Sequence, residues 1–186
     1  LAQRVIKLLS EPYDIDGHQA VIGASIGISV GPGDGTSPDK LLRNADLALY
    51  RAKGDGRGTF RFFEPVMDLQ MQTRRLMEQD LRKALPAGEF ELHYQPVVNL
   101  ASNEISGFEA LIRWNHPTKG MISPASFIPL AEEIGFIVPM GEWVIREACA
   151  TAAQWPEHLH IAVNISAGQV RNLGLMQVIF AAQSTS

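Results

Sequence analysis

The sequence predicts an α/β protein, and three observations carry that prediction. "IGASIGISV", "SPDKLLRNADLALYRAK" and "TFRFF" place a strand, a helix and a strand in succession near the start. "GFEALIRW", two helical patterns and "LHIAVNIS" repeat that order further on. A long amphipathic pattern stands between the two sets. Strands separated by helices of this length suggest parallel pairing through crossover helices.

Composition agrees with a soluble globular chain. The 186 residues are 46% hydrophobic and 19% charged, enough for one ordinary domain or two small ones. A net charge of -4 gives no electrostatic reason to expect a nucleic-acid partner. Cys149 is the single cysteine, which excludes an internal disulfide framework and fits a reducing compartment. No apolar run approaches the ~20 residues of a membrane span, so a cytoplasmic location is expected, with a membrane or sensory domain left open for a longer protein. The chain opens at Leu1 inside one helical pattern and ends at "AAQSTS" after another, and we read it as part of a longer gene product.

Each element has its own signal. Residues 1–9 read as the last turns of a helix. "YDIDGHQAV" reads as a hairpin in which Asp16-Gly17 supplies the positive φ angles of a tight turn. "IGASIGISVGP" is a β-branched strand closed by the "GPGDG" turn. Ser37 is a suitable N-cap, Pro38 suits the first helical position, and Leu41, Ala45, Ala48 and Ala52 recur at helical spacing. Gly54 is expected to cap that helix, and "TFRFF" to follow as a strand. From Val66 to Leu85, positions 66, 69, 73, 76, 77, 81, 84 and 85 are apolar or small, with charged and polar residues between them. That is one amphipathic helix, ended by "PAGE", because Pro86 cannot continue the hydrogen-bond ladder. Domain boundaries are set at 1–63, 64–85 for this linker helix, and 86–186.

"FELHYQPVVNL" and "EISGFEALIRW" read as two strands joined by a polar turn around Ala101 to Asn103. "SPASFIPLAEEIG" and "MGEWVIREACATAAQW" read as helices, "LHIAVNIS" as a buried strand, and Gln169 to Ala182 as helical. Side chains alternate along a strand, so Glu109, Leu111 and Arg113 share one face while Phe108, Ala110, Ile112 and Trp114 form the packed one. In "LHIAVNIS", Ala162, Asn164 and Ser166 share a face. A carboxylate and an amide oxygen near the ends of neighbouring parallel strands are hard ligands that suit Mg²⁺ or Mn²⁺ better than zinc. From the residues alone, Glu109 and Arg113 read equally as a satisfied ion pair, and Asn164 as a strand-end hydrogen bonder.

Other features read blandly. "GPGDG" and "GDGRG" are turns, since neither continues as Gly-Lys-Ser/Thr into a helix. His158 and His160 lack a third ligand nearby in sequence. Cys149, Trp114, Trp143 and Trp155 read as packing residues, and Glu132 and Glu133 as a solvated helix face.

"YQPVV", "GFEALIRWNHPTKGMISPASFIPLAEEIGFI", "GEWVIREAC" and "VNIS", in this order, resemble the EAL domain, a phosphodiesterase of cyclic di-GMP. The likeness runs through nearly every position from Phe90 to about Arg171. Upstream, "ASIGISVGPGDGTSPDKLLRNADLALYRAKGDGRGTF" resembles the C-terminal part of a GGDEF domain, the diguanylate cyclase fold. The resemblance implies the end of a cyclase-like α/β domain, a linker helix, and the first half of a modified (β/α)₈ barrel whose first strand is antiparallel. It implies Glu109 and Asn164 as metal ligands, Arg113 and the backbone near Leu111 as phosphate contacts, and Gln95 as facing the ligand pocket. Lys53 and Arg57 match triphosphate contacts of the cyclase family, although spacing alone reads them as solvated charges. The implied partners are cyclic di-GMP, GTP at the cyclase-like part, and a second copy in a full-length homodimer.

The implied chemistry is water attack on one phosphodiester bond, assisted by Mg²⁺ or Mn²⁺. The family's later glutamates, paired aspartates and catalytic lysine would all lie beyond residue 186. The cyclase's signature turn and metal-binding acids would precede Leu1. This chain alone is therefore expected to be inactive. A cyclic di-GMP receptor that does not cut its ligand is the alternative function.

Overall fold

The structure, a computed structural model, describes residues 1–185, which form two compact units divided between Arg75 and Leu76. The first unit begins with α1 (Ala2–Leu9), followed by β1 (Tyr13–Ile15) and β2 (His18–Ala20), paired antiparallel. Asp16 (φ 52°) and Gly17 (φ 81°) make the expected turn, and the Gly17 amide donates to the Asp14 carboxylate at 2.9 Å. β3 (Ile26–Ile28) and β4 (Phe60–Phe62) run parallel and are joined through α2 (Pro38–Gly54). A Cβ on Gly27 would collide with the Ala45 carbonyl and the Leu49 backbone, so glycine lets β3 lie directly on α2. Ala48 and Ala52, both fully buried, keep the helix side of that contact small.

The Ser37 hydroxyl accepts from the Lys40 amide, so the predicted N-cap forms. The predicted C-cap does not. Gly54 is the last helical residue, the Asp55 amide still reaches the Arg51 carbonyl at 3.0 Å, and the left-handed backbone falls at Gly56, Arg57 and Gly58. β3 is also shorter than its apolar run, because β4, its ladder partner among the described residues, has three residues. α3 (Pro65–Ala84) starts in this unit, where Asp68 accepts from Arg43 at 3.0 Å, and ends in the second.

The second unit is built on β5 (Phe90–Asn99) and β6 (Glu104–His116), an antiparallel pair with a register shift between Val97 and Val98. β7 (Gly120–Ile122) pairs antiparallel with the end of β6, an addition the sequence reading lacked. α4 (Pro124–Glu133) and α5 (Ile137–Ala152) follow, and β8 (His160–Val163) returns parallel to β6. The antiparallel first strand and the parallel crossover are both as expected. α6 (Ala167–Val170) and α7 (Leu175–Thr185) complete the chain.

One side of this sheet is packed. Phe90, Trp114, Phe127, Leu130 and Met140 form the core with Leu81 and Ala84 from the end of α3. Trp114 is fully buried, and its Nε1–H donates to Glu89 at 2.9 Å, which satisfies the one polar atom of the ring. Tyr94 and Phe108 pack on Trp155, and the Tyr94 hydroxyl donates to Thr151 of α5 at 3.0 Å. Cys149 packs beside Ile145 and Val178, where burial pushes its thiol up. A Cβ on Gly107 would strike the His160 carbonyl, so glycine sets how closely β6 and β8 approach.

In the second unit, three further details differ from the sequence reading, each for a local reason. α5 begins at Ile137 rather than Met140, because Gly135 (φ 72°) turns the chain and both Phe136 and Ile137 are buried. β8 ends at Val163, because Ser166 leaves the ladder to cap α6. The last helical stretch is two helices, separated where the Asn172 side chain accepts from the Gly174 amide at 2.9 Å.

Candidate functional site

The unpacked side of the sheet carries a polar grid. Cross-strand register places Gln95 opposite Glu109, His93 opposite Leu111, and Glu91 opposite Arg113. On the other edge of β6, Glu109 is in register with Ala162, two residues before Asn164. The Asn164 carboxamide donates to Glu109 Oε1 at 2.6 Å. Arg113 instead turns its Nη1 to the carbonyl of Ile112 at 2.9 Å. The two β6 charges thus take different partners, although they share a face.

The loop after Asn164 is fixed by a capping box. The Ser166 hydroxyl accepts from the Gln169 amide, while the Gln169 side chain accepts from the Ser166 amide at 3.0 Å. Gln169 is buried, and its carboxamide sits against Gly141 of α5, where any Cβ would collide with it. A cavity of about 310 Å³ opens beside these residues, lined also by residues of β6, α4 and α5. Leu111, Arg113, Glu132, Ile137, Asn164 and Gln169 are among its lining residues.

Glu109 and Asn164 fit a divalent cation in donor type and in spacing. Turning the carboxamide presents Oδ1 where Nδ2 now lies, which leaves two hard oxygens side by side. They do not complete a coordination sphere: Mg²⁺ takes about six oxygens, and among the described residues no group of three or more His, Cys, Asp or Glu is arranged to hold a metal.

Near Arg113, His93 Nε2 and Glu91 Oε1 are 2.8 Å apart. Hydrogen bonds from His93 and then Asn115, with the Arg113 charge nearby, hold the Glu91 carboxyl below its usual range. The sequence reading passed over both residues. Their period-two spacing with Gln95 was the available signal, since 91, 93 and 95 must share a strand face. Serine followed three residues later by glutamine, at 166 and 169, was equally legible as a capping box.

Of the remaining predicted residues, Lys53 lies exposed in the last turn of α2, and Arg57 lies exposed in the loop beyond it with φ 63°. Both belong to the first unit. No helix among the described residues is long and apolar enough to cross a membrane.

Comparison with known proteins adds a family to this geometry. The EAL domain family matches residues 78–185, and the diguanylate cyclase GGDEF domain family matches residues 1–59. A Caulobacter vibrioides signalling protein is 48% identical over 179 residues, covering 96% of this chain and 22% of that protein. The bifunctional diguanylate cyclase/cyclic di-GMP phosphodiesterase MucR of Pseudomonas aeruginosa is 44% identical over 183 residues, covering 96% of this chain and 27% of that protein. Among solved structures, the MucR phosphodiesterase in complex with cyclic di-GMP superposes with a TM-score of 0.56 at 41% identity, over 59% of this chain and 46% of the other. The chain spans about a quarter of the length of the curated relatives it matches.

Proposed function

The chain belongs to the EAL domain family, of which it carries the first part of the (β/α)₈ barrel behind the end of a GGDEF domain, and we propose that its protein hydrolyses cyclic di-GMP to the linear dinucleotide. The observation that carries this reading is the 2.6 Å contact between Glu109 and Asn164, on the sheet face that also presents Arg113.

EAL phosphodiesterases are divalent-metal dependent. Glu109 and Asn164 would hold such an ion, Mg²⁺ or Mn²⁺ in our reading, and the rest of the domain would supply further ligands. When bound, the ion supplies the Lewis acidity that phosphodiester hydrolysis needs at neutral pH. Arg113 binds the phosphate: its planar fork donates two parallel hydrogen bonds to phosphate oxygens once it leaves the Ile112 carbonyl. The Leu111 backbone offers a further contact, and Gln95, opposite Glu109, orients the ligand. Lys53 and Arg57 would meet the triphosphate of GTP in a complete GGDEF domain, and the full-length protein would work as a homodimer.

The test uses a protein that carries this chain together with the rest of the EAL domain. With Mg²⁺ or Mn²⁺ it should convert cyclic di-GMP to linear dinucleotide, and Glu109→Ala should abolish product. Tight binding without product would instead establish a receptor. The presence of both Glu109 and Asn164, in contact, favours the enzyme.

A further inference from the structure

The grid on the open face has a corner that the proposed reaction does not use. Glu91 stands directly across from Arg113, with Cβ atoms of such a pair about 4.5–5.5 Å apart. His93 Nε2 at 2.8 Å steers one carboxylate oxygen, and the pair is about half exposed, with side-chain exposures of 45% for Glu91 and 51% for His93. A side-chain contact this exposed adds little stability, so its placement beside the phosphate-binding guanidinium asks for another use.

We propose that the Glu91 carboxylate, steered by His93 beside Arg113, reads the donor edge of a guanine base and so selects guanine-bearing dinucleotides over adenine-bearing ones. This rests on the reading of the same face as a cyclic dinucleotide site. If Arg113 holds a phosphate, the base of that nucleotide is one sugar away, and Glu91 is the residue directly across from Arg113 on the neighbouring strand. Guanine presents N1–H and N2–H₂ side by side, and an ionised carboxylate accepts from both. A carboxylate has about four acceptor positions, so the bonds from His93 and Asn115 leave room. Adenine offers an acceptor at N1, which faces the carboxylate lone pairs and is repelled. The Arg113 charge and the His93 hydrogen bond also keep Glu91 ionised, the form the contact requires.

The experiment measures calorimetric affinity for cyclic di-GMP and for cyclic di-AMP, using protein with a complete EAL domain and the Glu91→Gln and His93→Ala variants. A carboxamide matches adenine N1 and N6–H₂ and mismatches guanine N1–H and N2–H₂. Glu91→Gln should therefore weaken cyclic di-GMP binding about 10- to 100-fold, the scale of one charge-assisted contact, while cyclic di-AMP binding stays level or tightens. His93→Ala should move the ratio the same way by less. An unchanged ratio of the two affinities overturns the proposal, as does an equal loss for both ligands, which would mark a structural role. If the parent protein hydrolyses cyclic di-GMP while the ratio does not move, this assignment alone fails. If the parent protein binds neither dinucleotide, the functional reading fails and takes this one with it.

Discussion

Asn164 and Glu109 stand 55 positions apart in the chain, yet the carboxamide of one donates to the carboxylate of the other at 2.6 Å. The contact exists because β8 returns parallel to β6 and then leaves the ladder just before Asn164.

If this contact is half of a metal site, its two members should fail differently. In a protein with a complete EAL domain, Glu109→Gln keeps the shape, loses the charge, and should bring turnover below detection. Asn164→Ala should raise the Mn²⁺ concentration for half-maximal activity about 10-fold or more, the scale seen when support for a metal ligand is lost. A titration with Mn²⁺ checks both, and an Asn164→Ala curve that overlays the parent would remove Asn164 from the ligand set.

The approach of β6 to β8 depends on Gly107. Gly107→Ala should destabilise the second unit by about 1–3 kcal/mol, the usual cost of forcing atoms into a packed site. Because it shifts β8 relative to Glu109, activity should fall by up to about 100-fold, more than stability alone explains. Urea unfolding beside kinetics at a temperature where the variant remains folded separates the two effects.

Asp80, near the end of α3, binds two groups from the β6–β7 hairpin: Lys119 Nζ at 2.7 Å and His116 Nε2 at 3.0 Å. Backbone amides of Thr118 and Lys119 point at His116 Nδ1, so that nitrogen accepts and Nε2 carries the donated proton. The Lys119 hydrogen bond first, and that of His116 second, hold the Asp80 carboxyl below its usual range. The stabilisation is therefore present above the unfolded-state value of about 3.9 and lost as pH falls through the lower folded-state value. Asp80→Asn should lower stability at neutral pH and flatten its decline below about pH 4. Asp80→Ala, which leaves buried His116 without its acceptor, should cost about 1–3 kcal/mol. Chemical unfolding at pH 3 to 7 reads both, and parallel acid limbs for parent and Asp80→Asn would refute the account.

The 186 residues by themselves should show no turnover of cyclic di-GMP, since they contribute one carboxylate, Glu109, and one neutral carboxamide, Asn164, and no cluster of three or more His, Cys, Asp or Glu that could hold a metal stands among the described residues. Product formed by the isolated chain in Mn²⁺ would refute this assignment of the ligands.

Period-two alternation gave the shared face of Glu109 and Arg113 directly, because pleating allows nothing else. The same rule covered Glu91 and His93, which were legible but unread. The hairpin at Asp16-Gly17 and the N-cap at Ser37 were also legible, because a turn or a cap is decided by few residues. The partner of Glu109 was not. Period two gives a facing side chain but no pairing, and the ion-pair reading with Arg113 stayed open until strand register brought Asn164 alongside. The helix end at Gly54 failed for a related reason: glycine permits a left-handed cap without requiring one, and the backbone used Gly56 instead.

Gly141 gives this chain a liability that ranking substitutions by helix propensity would invert. Replacing an interior helix glycine with alanine is ordinarily a safe way to add roughly 0.4–1 kcal/mol. In α5 the new methyl would meet the Gln169 carboxamide, break the reciprocal cap with Ser166, and free the loop that begins at Asn164. A variant ranked as benign or improving at position 141 would thus loosen a residue 23 positions downstream.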